Sequence, residues 1–154
     1  MDTLTRNAGE LCQRDVAVAY RFTALDEAAR VMRERHVGCL VVVDETAQGR
    51  IVCGMLTDRD IVTSVMAKGV NPATVRVGDV MSEDVATARA EDTPQALAAL
   101  MQRRGVRRVP VVGAGGALLG VISADDLLHA LGETLQALAS VMGEQRRREA
   151  QLRP

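Results

Sequence analysis

Aromatic residues are almost missing: the 154-residue chain has one Phe, one Tyr and no Trp. Surfaces that read single-stranded nucleic acid stack bases on aromatic rings, so this scarcity argues against that class. An excess of charge of one sign is missing too. Nineteen basic and 20 acidic residues leave a formal net charge of -1, which gives no general attraction to nucleic acid or to a membrane surface. A nucleic-acid binder built on Arg103, Arg104, Arg107 and Arg108 would need a local patch and would show steep salt dependence. Only three cysteines occur, Cys12, Cys39 and Cys53, widely spaced and with no Cys-x-x-Cys pair. That excludes a disulfide framework and a zinc site of the usual spacing, and it suits small core residues. His36 and His129 stand apart, without acidic or cysteine companions at metal-ligand spacing, so no metal is expected. No apolar run of membrane-spanning length and no leader-like apolar stretch at the start are found, and a cytoplasmic protein is expected.

Catalytic motifs are also wanting. There is no Gly-x-Ser-x-Gly elbow and no Gly-x-x-x-x-Gly-Lys-Ser/Thr phosphate loop. Asp58 with Asp60, and Asp125 with Asp126, fall at the starts of expected helices, where capping accounts for them. The chain is therefore not expected to be an enzyme.

What the chain does have is the same text twice. Leu40-Val41-Val42-Val43-Asp44 leads into Gly54-Met55-Leu56-Thr57-Asp58-Arg59-Asp60-Ile61; later Val109-Pro110-Val111-Val112 leads into Gly120-Val121-Ile122-Ser123-Ala124-Asp125-Asp126-Leu127. The second copy lies 69 residues on up to the valine run and 66 from the glycine, so one loop is three residues shorter. A unit of this size closes its own core poorly, and two copies packed together make one pseudo-symmetric domain with a seam for a ligand.

Each copy reads as strand, helix, strand, strand, helix. In the first, Asp15-Val16-Ala17-Val18 suits a small strand. Thr23 caps a helix to Arg35 with Leu25, Ala28, Ala29, Val31 and Met32 on its apolar stripe. Cys39–Val43 and Ile51–Leu56 are strands, and a helix runs from Asp58 to Ala67. In the second, Asp84-Val85-Ala86-Thr87 is the small strand, Asp92 or Thr93 caps a helix with Pro94 at its first position, and strands follow at Arg108–Val112 and Leu118–Ser123. Gly113 to Gly116 turn the chain between them. Pro110 suggests a sheet edge, and Gly69 to Thr74 read as a linker. The expected divisions are a first repeat over 9–68, a linker over 69–77, a second repeat over 78–135 and a helical extension over 136–154. That last helix carries Leu127, Leu128, Leu131, Leu135, Leu138 and Met142 on one stripe and outlasts its own repeat, which suits packing on a partner chain. Arg146-Arg147-Arg148 beyond the stripe suit the helix dipole or simple solvation.

In both copies a hydroxyl precedes an acid by three residues at a strand-to-helix junction: Thr57 and Asp60, Ser123 and Asp126. A carboxylate there can accept hydrogen bonds from a ribose diol, and helix N–H groups can meet a phosphate. The same spacing also describes a capping box.

Taken with Val80-Met81-Ser82 and Gly105-Val106-Arg107-Arg108 ahead of the second valine run, these motifs resemble the CBS domain, and the pair resembles a small stand-alone tandem CBS, or Bateman, module over roughly residues 9 to 135. The resemblance implies an α+β fold of two pseudo-symmetric βαββα repeats with an extended C-terminal helix. It also implies two clefts for adenosine compounds such as AMP, ADP, ATP or S-adenosylmethionine, and a homodimer. By the same resemblance, one cleft would use Met55, Thr57 and Asp60 with Val85, Ala86 and Thr87, with Arg107 and Arg108 reaching phosphates. The other would use Val121, Ser123 and Asp126 with Val16, Ala17 and Val18. The first copy has Gly38-Cys39 where the second has Arg107-Arg108, so unequal occupancy is expected, with phosphorylated nucleotide in the cleft of Asp60. On the surface those arginines could equally pair with Asp84, Glu91 or Asp92. The functional expectation is a regulatory sensor module with an unidentified regulated protein; the alternative is an assembly module with vestigial clefts that works through its last helix.

Overall fold

A computed structural model describes residues 6–152. Two three-stranded sheets, in the orders β1-β2-β3 and β4-β5-β6, carry the two repeats. A four-residue helix, α1 (Ala8–Leu11), comes first. The first repeat runs β1 (Val18–Ala19), α2 (Leu25–Arg35), β2 (Cys39–Thr46), β3 (Gly49–Thr57) and α3 (Asp58–Ser64). The second runs β4 (Ala88–Arg89), α4 (Pro94–Arg104), β5 (Arg108–Val112), β6 (Leu118–Ser123) and α5 (Ala124–Leu152).

In each sheet the small first strand pairs parallel with the second, which pairs antiparallel with the third. Both hairpins carry a bulge at the same place, between Val42 and Val43 and between Val111 and Val112. The three-residue difference lies beyond the bulge. There β2 and β3 continue through Asp44↔Ile51 to Thr46↔Gly49, whereas the second hairpin turns at Ala114–Gly116.

Several local expectations are corrected. The small strands sit later than the Asp15–Val18 and Asp84–Thr87 segments, because parallel pairing with β2 and β5 selects Val18–Ala19 and Ala88–Arg89. Thr23 does not cap α2. Its Oγ1 accepts from the Tyr20 N–H at 3.1 Å, Ala24 is the cap residue, and the Leu25 N–H donates to the Val75 carbonyl at 3.0 Å. Thr93 is the cap of α4, accepting from the Ala96 N–H at 3.2 Å, while Asp92 accepts from the Arg89 N–H at 2.8 Å. The helix from Asp58 ends at Ser64, and Met66–Lys68 form a separate 3-10 turn.

Pro110 is not at a sheet edge, since β5 is the central strand. The matching residue of the first repeat, Val41, donates its N–H to the Ala17 carbonyl at 3.1 Å, outside the β2–β3 ladder. Proline therefore omits one bond beside the short first strand and leaves the antiparallel ladder whole.

The two cores are built by exchange. Leu25, Ala28, Met32, Leu40, Val42, Leu56 and Ile61 of the first repeat pack with Val65, Val77 and Met81, which come from the chain between the sheets. The segment that reads as a linker thus sends Val77, fully buried, into the first core. Ala8 and Cys12, from ahead of the first repeat, join Ala88, Leu97, Met101, Val109, Val111 and Ile122 in the second. Each lead segment therefore belongs to the other repeat's core, and the clefts form where these segments cross. Among the described residues no helix is long and apolar enough to cross a membrane.

Candidate functional site

Met81 and Ser82 cross over β3, and Cys12 and Gln13 cross over β6. Met55 and Ser82 exchange both backbone hydrogen bonds, at 3.0 and 2.9 Å, and Gln13 and Val121 do the same at 2.9 and 3.0 Å. The crossings are close. A Cβ on Gly54 would stand 2.5 Å from the Met81 sulfur, and one on Gly120 would stand 2.5 Å from the Cys12 sulfur and 2.6 Å from the Gln13 carbonyl oxygen. That is why glycine opens the second half of each repeat's signature.

Beside the first crossing lies an open cavity of about 680 Å³. Its lining brings together Met55, Thr57 and Asp60 with Val85 and Ala86, and with Arg107 and Arg108; Thr87 lies outside the lining. Asp58, Arg59, Ser82 and Asp84 also line it, together with Arg103 and Arg104 on the last turn of α4, and none of these six is among the ligand residues that the resemblance implies.

The junction of β3 and α3 is a complete capping box. The Asp60 N–H donates to Thr57 Oγ1 at 3.2 Å, while Asp60 Oδ2 accepts from the Thr57 N–H at 2.9 Å and from the Thr57 hydroxyl at 2.7 Å. The second repeat repeats it: the Asp126 N–H donates to Ser123 Oγ at 3.1 Å, and Asp126 Oδ2 accepts from the Ser123 N–H at 2.8 Å and its hydroxyl at 2.6 Å. Capping therefore uses one carboxylate oxygen and the hydroxyl in each copy. The other oxygen, Oδ1, is what each site has left to offer a ligand.

At this oxygen the repeats part. Gln13 Nε2 donates to Asp126 Oδ1 at 3.3 Å. The residue that stands at the Gln13 place in the first cleft is Ser82, and among the described residues nothing donates to Asp60 Oδ1. Val121, Ser123 and Asp126 are half-buried, as are Val16 and Val18, and Ala17 is buried in the first core. Just ahead of the Val16–Val18 stretch Asp15 pairs with Arg35 at 2.6 Å, and just ahead of Val85 Asp84 pairs with Arg104 at 2.6 Å.

Charge divides the clefts as well. Five arginines (Arg59, Arg103, Arg104, Arg107, Arg108) face three aspartates (Asp58, Asp60, Asp84) around the first cavity. At the positions related by the repeat stand Arg35, Arg107 and Arg108 with Asp15, Glu34, Asp125 and Asp126, among which Arg35 pairs with Asp15 and Arg107 approaches Asp125. Arg104 is held by Asp84, and Arg107 approaches Asp125 at 3.7 Å with both side chains largely exposed. Arg108 forms no ion pair among the described residues. Neither Arg107 nor Arg108 pairs with Asp84, Glu91 or Asp92. Burial pushes the Cys39 thiol up, Arg108 pulls it back, and Asp58 pushes it up again. Arg108 and Cys39, at the start of β2, both line the cavity.

The signal for the Ser82/Gln13 difference is present in the sequence, at a separation of 69 residues, but it has meaning only once the lead segments are known to cross. Among the described residues no group of three or more His, Cys, Asp or Glu side chains is arranged to hold a metal ion.

Comparison with known proteins agrees with this architecture. An uncharacterised protein, MK0525, of Methanopyrus kandleri is 34% identical over 123 residues, covering 80% of this chain and 61% of that protein. Hypoxic response protein 1 of Mycobacterium tuberculosis is 30% identical over 141 residues, covering 88% of this chain and 92% of the relative. Its crystal structure, which holds two coordinated zinc ions, superposes with a TM-score of 0.70 over 80% of this chain and 97% of that one. The cytosolic domain of the Mg2+ channel MgtE, in complex with ATP, superposes with a TM-score of 0.68 at 25% identity, over 80% of this chain and 48% of that one. The profile of the CBS domain matches residues 8–67 and 77–133, and the chain belongs to the CBS domain family as a tandem pair.

Proposed function

We propose that this CBS pair is a non-catalytic regulatory module, cytoplasmic and homodimeric, that takes an adenosine-containing ligand into the cleft of Asp60. AMP, ADP, ATP and S-adenosylmethionine are the candidates, and a phosphorylated nucleotide suits the charge best. The single observation that carries this reading is the pairing of an unengaged Asp60 Oδ1 with Arg108 across one open cavity. The carboxylate oxygen suits a ribose hydroxyl, while the arginines suit phosphate by charge-assisted bonds. Met55, Val85 and Ala86 offer apolar surface to the base. That the MgtE cytosolic domain is known in complex with ATP supports the ligand class.

Because the cleft lies between parts of both repeats, a ligand there biases the angle between them by its differential affinity for the two arrangements. A dimer or a partner protein then reads that angle. Thermal unfolding with AMP, ATP, S-adenosylmethionine and NAD tests the reading. AMP or ATP at about 100 times its dissociation constant is expected to stabilise the protein by about 2.7 kcal/mol. A flat response to all four ligands favours instead an assembly module acting through α5.

A further inference from the structure

We propose that the distal part of α5 forms an antiparallel helix pair with a second copy of this chain, in the register that sets Leu135 of one copy against Leu138 of the other. The proposal rests on the homodimer reading and is independent of the ligand. The corresponding helix of the first repeat, α3, spans seven residues, whereas α5 spans 29. Only its beginning touches the body, through buried Ala130 and half-buried Leu127. Leu127, expected on the outward stripe, therefore belongs to the inward face.

Leu128, Leu131, Leu135, Leu138 and Met142 recur at alternating spacings of three and four, and each is more than half exposed, as is Val141. This is the heptad seam of paired helices, about 21 Å long at 1.5 Å per residue. A seam of five large apolar side chains left in water is the kind of patch that soluble proteins cover. The positions flanking it are Gly132, Thr134, Ala139 and Val141. All are small or apolar, so two helices can approach without stripping water from a charge.

Charge then chooses the direction. Asp125, Asp126 and Glu133 lie near the start of α5; near its far end Arg146, Arg147 and Arg148 outnumber Glu144 and Glu149, and Arg147 pairs with Glu144 at 3.2 Å. A parallel pair brings both arginine triplets together. An antiparallel pair sets each triplet beside the acidic end and also opposes the helix dipoles. With Leu135 against Leu138, Leu131 meets Met142 and Leu128 meets Gln145, and the largely exposed Asp125 falls beside Arg146 of the second copy.

Cysteine cross-linking tests both the contact and its direction. Full-length chains carrying Leu131→Cys or Met142→Cys are given different tags, co-expressed and oxidised, with the wild-type chain as control for Cys12, Cys39 and Cys53. The expected result is a disulfide-linked mixed dimer, with neither variant cross-linking to itself. Self-cross-linking of each variant means a parallel pair and overturns the proposal. No cross-linked species in any combination overturns it as well. Light scattering on the wild type then shows whether the homodimer reading has failed with it, by a monomer mass, or stands without this contact, by a dimer mass.

Discussion

Asp60 and Asp126 occupy the same capping box, accept from the same two donors, and differ in what reaches their second oxygen. Gln13 donates to Asp126 Oδ1, while among the described residues no side chain, Ser82 included, donates to Asp60 Oδ1. The surroundings differ in the same sense, with arginines in excess around Asp60 and acids in excess at the related positions around Asp126. The duplicated motif fixes a helix start in both copies. Whether that helix start is also an available ligand site depends on residues 22 to 113 positions away, on the lead segment and on α4.

The two crossings offer the largest break in the comparison. Gly120→Ala puts a methyl group against the Gln13 backbone as well as the Cys12 sulfur, and backbone cannot move aside cheaply. It is expected to cost about 2–3 kcal/mol, the upper part of the usual range for overpacking. Gly54→Ala meets only the flexible Met81 side chain and is expected to cost ~1 kcal/mol. Urea unfolding of the two variants checks the order; equal costs would mean the crossings are equally compliant.

Exchanging the residues that separate the clefts is the next largest effect. Ser82→Gln is expected to place an amide on Asp60 Oδ1 and weaken nucleotide binding by about tenfold, the worth of one hydrogen bond to a charged group. Gln13→Ser is expected to release Asp126 and add a weak second site, visible as a rise in calorimetric stoichiometry. If neither substitution changes binding, the two side chains do not set the difference.

The smallest effect lies where the helices end. α2 and α4 both close on a left-handed residue, His36 at φ 53° and Gly105 at φ 62°. Only glycine takes that conformation without steric cost, so His36→Gly is expected to stabilise the fold by about 1 kcal/mol. A rise in the thermal midpoint checks it, and no change or a fall would show that His36 makes a compensating contact.

Much of the fold was legible because it is periodic. The valine runs, the apolar stripes of α2 and α4, and Pro94 after Thr93 each encode structure within one turn or one strand. What could not be read is what depends on partners distant in sequence. The Asp15–Val18 segment alternates like a strand, but pairing with β2 begins only at Val18. Thr23 looked like a cap, yet the carbonyl of Val75 takes that role. Pro110 suggested an edge because its missing N–H carries no label saying which neighbour it faces. For the site, Asp60, Thr57, Arg107 and Arg108 stand out as motif residues and do line one cavity. Ser82 and Arg59 stand in the motifs without a ligand role attached to them, Arg103 lies outside the motifs, and the exchange of lead segments is what brings Ser82 beside β3.

Titration calorimetry with ATP on the wild type, Asp60→Ala and Asp126→Ala tests the inequality of the clefts most directly. One dominant site per chain is expected, weakened at least tenfold by Asp60→Ala and left nearly unchanged by Asp126→Ala. Two equal sites in the wild type, or equal losses from the two substitutions, would contradict it.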